Sequence, residues 1–188
     1  FRRVLFRSKE RVVDYIQNKK EVDKWIALKG ECKYEEFANI LEAKGISCNW
    51  SALDNLARYD KRLLINVFKY MSFFEDYIRA IVWNRANKSY KSLENLNLRE
   101  VINYIPNIAK KEEQLDYIFN NVEYICELRN QVSHNKIMLM CEKDGKKLKE
   151  LLTIFKEVLP IEYQDNFKKN INGCAKDLDI DKKIIVVL

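Results

Sequence analysis

The residues of this sequence that could do chemistry together are an arginine and the only histidine of the chain, five positions apart. They are Arg129 and His134, and Asn130 directly follows the arginine. A histidine takes up and releases a proton near neutral pH. An arginine holds a phosphate through a fixed charge and two parallel hydrogen bonds. These residue types indicate proton transfer at a phosphate ester.

The residues before Arg129 predict one amphipathic helix from about Lys111 to about Asn130. At about 100° of rotation per residue, six apolar residues fall within an arc of roughly 120°: Leu115, Ile118, Phe119, Val122, Ile125 and Cys126. Arg129 falls at about 20° from Ile118 by the same rotation, which predicts its side chain in the middle of the apolar stripe. A charge there is costly unless it is paired or used.

A second charge lies in an apolar stripe of the longest predicted helix, which runs from residue 61 to about residue 86. Glu75 falls at about 20° from Leu64 on this helix. Two interpretations of Glu75 are open. It pairs either with Arg129 of the other helix, or with Arg79 one turn further along its own helix.

The position of the histidine relative to the arginine also leaves alternatives. In an unbroken helix Arg129 and His134 are separated by about 140°, whereas Asn130 and His134 share a face. Either the helix breaks before His134, or Arg129 orients the site from within while Asn130 and His134 face the phosphate. A third interpretation is structural, in which His134 caps a helix of a non-catalytic bundle.

The pattern Arg129-Asn130-x-x-x-His134 resembles the Arg-x(4–6)-His motif of the HEPN superfamily. These are small all-helical domains, many of them metal-independent ribonucleases in toxin–antitoxin, abortive-infection and RNA-guided defence systems. The polar residue after the arginine fits the motif, and Asn135-Lys136 after the histidine looks like the Abi-like branch. The resemblance covers the chain from residue 61 onward, and its specific residues are confined to this segment.

The resemblance implies an all-α fold, namely a HEPN-like helical bundle with an N-terminal helical extension. It also implies a metal-independent endoribonuclease of a defence or toxin system, with no metal and no cofactor. Cleavage by the 2′-OH needs a base, an acid and positive charge at the phosphorus. His134 would be the acid or base, Arg129 would stabilise the phosphate, and Asn130 would complete the catalytic set. The expected supporting residues are Glu75, Ser133 and Lys136.

One histidine per chain does not easily serve as both acid and base. A two-fold homodimer would supply the second copy of the motif, and the resemblance implies composite sites of this kind. The apolar Ile137, Met138 and Leu139 would then add contact area. RNA is the expected partner, together with an antitoxin or a defence-complex partner.

The alternative function is a non-catalytic HEPN-like binding or assembly module, or an antitoxin-paired partner. Toxins of this family that are modified by a nucleotidyltransferase tend to have a tyrosine two positions after the histidine. This chain has Lys136 at that position, which argues against such a pairing.

Length and composition bound the class of protein. The 188 residues suit one domain, or one domain with a helical extension, and 47% hydrophobic residues are enough for a core. With only 4 Gly and 2 Pro, long helices are favoured over tight turns. No apolar run suits a membrane span, and no signal peptide is visible. The 5 scattered cysteines lack Cys-x-x-Cys, so we expect no zinc site, no disulfide framework and a reducing cytoplasm.

The domain organisation begins with a segment that we expect to be non-native. Residues 3–8 (Arg-Val-Leu-Phe-Arg-Ser) match the in-frame translation of a common sequencing adapter, so residues 1–8 are set apart. Without the arginines of this segment the formal net charge falls from +6 to +3, which is mildly basic and compatible with nucleic acid. Residues 9–60 are then the N-terminal helical extension, and residues 61–188 are the HEPN-like bundle.

The remaining elements follow from helix stop signals and turn residues. Gly45 is expected to end a helix, and Ser51 to cap a short helix that is separate from the long one. Asn97 or Asn95 would cap a helix from Leu98. Residues 143–145 are expected to form a turn. The β-branched residues 184–188 are either a terminal strand or the start of a segment that is cut off.

Overall fold

The computed structural model describes residues 11–86, 93, 95–108 and 112–188. The segment expected to be non-native, residues 1–8, lies outside the described residues. The described part of the chain is predominantly α-helical, and its sheet is one short antiparallel hairpin. The predicted all-α fold class is therefore confirmed.

The helices and strands of the described residues run as follows. They are α1 (Lys19–Lys29), α2 (Glu31–Ala43), α3 (Trp50–Ala86), α4 (Leu98–Ile102), α5 (Ile105–Ile108), α6 (Glu113–Asn120), α7 (Val122–Ser133), β1 (Glu142–Lys143), β2 (Lys146–Lys147), α8 (Leu148–Val158) and α9 (Ile161–Asn172). Short 3₁₀ turns at Met138–Met140 and Gly173–Ala175 follow α7 and α9. Among these helices, none is long and apolar enough to cross a membrane.

The chain divides into two compact units. The first comprises the residues up to Arg62 together with Cys174–Ile185, and the second comprises Leu63–Gly173 and Val186–Leu188. The sequence instead places the boundary after residue 60 and residues 174–185 in the bundle. Within the first unit, the Arg62 guanidinium donates to the carbonyls of Cys174 at 3.2 Å and Lys176 at 2.6 Å. Such long-range hydrogen bonds leave no local signal in the sequence.

In the first unit, α1 and α2 pack through an aromatic cluster. The ring of Trp25 lies edge-on to Tyr34 and Phe37, with centroid distances of 6.1 and 6.2 Å. Helix α2 ends at Ala43, and the predicted stop signal, Gly45, lies just beyond it with a φ of 67°. Its N–H donates to the carbonyl of Glu42 at 2.9 Å, because glycine adopts this left-handed conformation without steric cost.

Helix α3 is one continuous helix of 37 residues, so the prediction of two helices in this stretch is wrong. Asn49, and not Ser51, caps it, because the Asn49 side-chain oxygen accepts from the N–H of Ala52 at 2.8 Å. The predicted gap near residue 60 holds no Gly or Pro to interrupt the helix. Arg58 also pairs with Asp54 one turn before it, at 2.7 Å.

The core of the second unit is built on aromatic side chains of α3, α8 and α9. Phe155 lies edge-on to Phe74 and to Phe167, with centroid distances of 5.7 and 5.5 Å. All three rings are fully buried. Helix α7 packs on α8 and on α4, so the helix with the motif is supported by neighbours on two sides.

The predicted single helix before the motif is two helices, α6 and α7. Asn121 separates them with a φ of −111° and a ψ of 15°, and its side-chain amide donates to the carbonyl of Tyr117 at 2.8 Å. An asparagine that bonds the preceding turn in this way competes with the helix backbone. Phe119, predicted in the apolar stripe, is exposed, whereas Leu115 and Ile118 of the same helix are buried. The predicted start at Lys111 lies outside the described residues.

The predicted turn after β1 is confirmed, and it is an Asp-Gly turn. Asp144 and Gly145 both have positive φ, 52° and 77°, as a two-residue hairpin turn requires. Residues 184–188 form no strand. Instead, the N–H of Leu188 donates to the Asn172 side chain at 2.9 Å.

Candidate functional site

Helix α7 ends at the histidine of the motif. Ser133 is its last residue, and His134 occupies the C-cap position with a φ of −92° and a ψ of 8°. The His134 N–H still donates to the carbonyl of Asn130 at 3.0 Å, which is the ordinary helical bond. His134 therefore stays on the Asn130 face and points about 140° away from Arg129. Of the two alternatives for the motif, the structure has the helix continuing up to His134.

The chain leaves α7 through a Schellman turn. The N–H of Asn135 donates to the carbonyl of Val132 at 3.2 Å, and the N–H of Lys136 donates to the carbonyl of Gln131 at 3.0 Å. Asn135 has a φ of 49°, the left-handed conformation that this motif requires and that asparagine tolerates. These bonds fix the backbone on both sides of His134.

Gln131 is a positioning residue that the sequence reasoning missed. Its side chain is buried, with 5% exposure, and its amide nitrogen donates to the carbonyl of Ile137. The signal was available, since Gln131 lies three residues after Leu128, at core spacing. Ile137 and Met138 are themselves buried, so the expectation that these two residues add contact area to a dimer is wrong.

The predicted pairing of Glu75 with Arg129 is confirmed. The Arg129 Nε lies 3.4 Å from Glu75 Oε1. Arg79 does not form the alternative pair with Glu75. The Arg79 guanidinium donates to the backbone carbonyls of Leu93 and Leu96, the latter at 2.8 Å.

Arg129 lies at the edge of the core and not in its middle, so that part of the prediction is wrong. Its side chain is 39% exposed, and that of Glu75 is 24% exposed. The buried residues of α7 are Ile125, Cys126, Leu128, Gln131 and Val132, and the centre of this set lies about 70° from Arg129 on the helix. The guanidinium therefore reaches the surface while the stem of the side chain covers apolar groups.

A second ion pair, also missed from the sequence, joins α4 to α7. Arg99 binds Glu123 through two hydrogen bonds, of which Nη2–Oε2 is 2.8 Å. These bonds lower the pKa of Glu123 below its usual value. Burial raises the pKa of the nearby Cys126 thiol, and the charges of both ion pairs act on it more weakly. Arg99 of α4 and Arg129 of α7 are thus two cationic groups, each held by one carboxylate.

The remaining candidate residues share an exposed surface. Asn130, Ser133, His134 and Lys136 are all exposed. The described residues include no group of His, Cys, Asp and Glu side chains that could hold a metal ion. Exposed amide, hydroxyl, imidazole and ammonium groups can donate to a phosphate, and the imidazole can also transfer a proton.

The structure therefore brings Glu75 to Arg129, and it keeps Asn130 and His134 on one exposed face. It does not turn Arg129 toward that face within one chain. Comparisons of this chain with protein-family models, with curated proteins and with solved structures give no match.

Proposed function

We propose that this chain is a HEPN-type, metal-independent endoribonuclease of a toxin or defence system. The observation that supports this most is the exposed end of α7, where the only histidine of the chain follows Asn130 by one turn. The fixed backbone around His134 supports a proton-transfer role, because catalytic groups must be held in place.

In the proposed reaction, the 2′-oxygen attacks the adjacent phosphorus and loses its proton to a base. The bond to the 5′-oxygen breaks, and that oxygen takes a proton from an acid, which leaves a 2′,3′-cyclic phosphate. His134 supplies the imidazole for one of these transfers. Arg129 stabilises the negative charge that develops on the phosphate oxygens.

The end of a helix is not by itself favourable for a phosphate. The C-terminal end of the macrodipole is negative and disfavours an anion by about 0.3–1 kcal/mol. Two of the last carbonyls, those of Gln131 and Val132, are already satisfied by the Schellman turn. Lys136, which is exposed beside His134, adds a positive charge that offsets the remaining field.

We further propose that the active form is a homodimer with a composite site. One chain offers one histidine, whereas cleavage uses an acid and a base. In addition, Arg129 and His134 point about 140° apart on α7, so one phosphate is reached more easily by groups from two chains. A two-fold axis near His134 would double every residue beside it.

The test is an RNA cleavage assay in EDTA with wild type, His134→Ala and Arg129→Ala. We expect each substitution to lower the cleavage rate about 10²–10⁴-fold, as loss of a general acid–base or a charge-stabilising group does. Lys149→Ala, on exposed α8 surface, is the control and should cleave at the wild-type rate. A wild-type protein that cleaves no RNA, full activity of His134→Ala, or activity that requires Mg²⁺ would each contradict the proposal.

The composite site has its own test. Light scattering during cleavage reports the oligomeric state, and mixing wild-type with His134→Ala chains reports whether sites are shared. We expect a dimer whose specific activity per wild-type chain falls on mixing. An active monomer, or mixed dimers that retain full activity per wild-type chain, would exclude the composite site.

A second candidate function is a non-catalytic HEPN-like binding or assembly module, including one paired with an antitoxin. The observation that favours it is the C-cap position of His134, where the backbone makes the helix bond and the imidazole makes no hydrogen bond to a described residue. RNA binding without cleavage in the same assay would select this candidate.

A further inference from the structure

A groove in the second unit lies away from the motif and has a different chemistry. It has a volume of about 600 Å³, which is within the usual range of ligand sites. It is lined by Tyr77 of α3, by residues of α6 and by the segment that joins α8 to α9, namely Glu113, Gln114, Tyr117, Glu157, Pro160, Ile161, Glu162 and Gln164.

The turn between α8 and α9 that lines the groove is held by two side-chain amides. The Nε2 atoms of Gln114 and Gln164 both donate to the carbonyl of Leu159, at 3.3 and 3.0 Å. Pro160 follows directly and restricts the backbone further. The groove is therefore preformed, which lowers the entropic cost of binding a ligand.

Two tyrosines give the groove an aromatic surface with hydrogen-bond donors. Burial raises the pKa of Tyr77 and of Tyr117, and the carboxylates of Glu162 and Glu157 respectively raise it further. Both phenols therefore keep their protons at neutral pH and can donate to a ligand carbonyl. Their rings can also bind a cation.

The charge of the groove is opposite to that of the chain. Of its three glutamates, Glu157 is paired with Lys156 at 2.8 Å. Among the described residues, no Lys, Arg or His lies within ion-pair distance of Glu113 or Glu162. The charge of Arg85 also acts on Tyr77, but Arg85 is paired with Glu112. In the described part of the chain, the two exposed carboxylates therefore leave the groove negative, although the whole chain has a formal net charge of +6.

We propose that this groove binds a basic segment of a partner protein. A Lys or Arg side chain would lie against the tyrosine rings with its charge beside Glu113 and Glu162, and its aliphatic stem would contact Pro160. An apolar neighbour in the segment would cover Ile161, which is 77% exposed. RNA and anionic membranes do not fit, because the carboxylates repel phosphate groups. The binding of this segment does not depend on the proposed ribonuclease activity.

The test measures binding of a fluorescein-labelled peptide of alternating lysine and leucine by fluorescence anisotropy. We expect Glu113→Gln/Glu162→Gln to weaken its binding about tenfold, or about 1.4 kcal/mol, and Tyr117→Ala to weaken it as well. The matched control is Asp116→Asn/Asp165→Asn. It removes the same charge from the same two helices, but neither residue lines the groove, so it should bind within about twofold of wild type.

Four results would overturn the proposal. These are no binding of the basic peptide, equal binding of a peptide with glutamate in place of lysine, an unchanged affinity of the glutamine variant, and an equal loss in the control variant. Circular dichroism of each variant shows whether it is folded. Tyr117→Phe keeps the aromatic ring, so it should retain most of the peptide binding that Tyr117→Ala loses. Cleavage assays are not needed for any of these outcomes.

Discussion

The ion pair between Glu75 and Arg129 allows a quantitative test of how the motif is supported. Glu75→Gln removes one charge and keeps the size of the side chain. In the structure the two charges are joined by a single contact of 3.4 Å, and the side chains are 24% and 39% exposed. Solvent therefore reaches both groups and screens their attraction.

The exposure of the two side chains sets the expected coupling energy. Exposed pairs contribute about 0.2–1 kcal/mol, whereas removal of one partner of a buried pair costs about 3–5 kcal/mol. The sequence predicts two charges inside apolar stripes, which would place the pair in the second class. The structure places it nearer the first, so we expect a coupling free energy of about 0.5 kcal/mol that falls further in about 1 M salt.

The assay is a double-mutant cycle in urea with wild type, Glu75→Gln, Arg129→Gln and the double variant. The bidentate pair Arg99–Glu123, with side chains 46% and 47% exposed, is a matched reference and should give a coupling of at most about 1 kcal/mol. A Glu75–Arg129 coupling above about 2 kcal/mol would show a buried pair and refute the reasoning from exposure. A coupling indistinguishable from zero would show that Glu75 does not hold Arg129.

Two further predictions concern buried groups. Gln131→Ala should lower the free energy of unfolding by about 1–3 kcal/mol in urea titrations, because the buried Ile137 carbonyl loses its donor. The control Asn130→Ala, on exposed surface, should change it by less than about 0.5 kcal/mol. Equal effects of the two substitutions would contradict the positioning role of Gln131. Burial raises the pKa of the Cys48 thiol to about 11 and that of Cys141 to about 12, so their contribution to stability is complete below pH 9 and is lost as pH rises through these values. Alkylation at pH 8 should therefore modify exposed Cys32 in the native state and the two buried thiols only after unfolding, and rapid native labelling of Cys141 would contradict this.

Several features of the fold could be predicted because their causes lie within a few residues. Gly45 ends α2 since a left-handed residue needs no partner elsewhere in the chain. Asn97 begins α4 through a capping box with Glu100, three residues on. Asp144 and Gly145 form their turn for a similarly local reason.

Other features depend on packing partners that are distant in sequence. Arg129 lies at the edge of the core with a side chain that is 39% exposed, although helical periodicity predicts it in the middle. The bonds of Arg79 to the Leu93 and Leu96 carbonyls leave Glu75 to Arg129. Neither feature follows from a residue pattern, because each depends on where another helix lies.

The sequence by itself determined that the chain is helical and that Arg129 and Asn130 lie near the end of one helix. Helical periodicity and end signals are local, so they are readable from the residues alone. Only the tertiary structure decided that Arg129 is half-exposed and that an acidic aromatic groove forms around Tyr77. These depend on contacts between segments that are up to about ninety residues apart, and burial in a packed core is a property of such contacts.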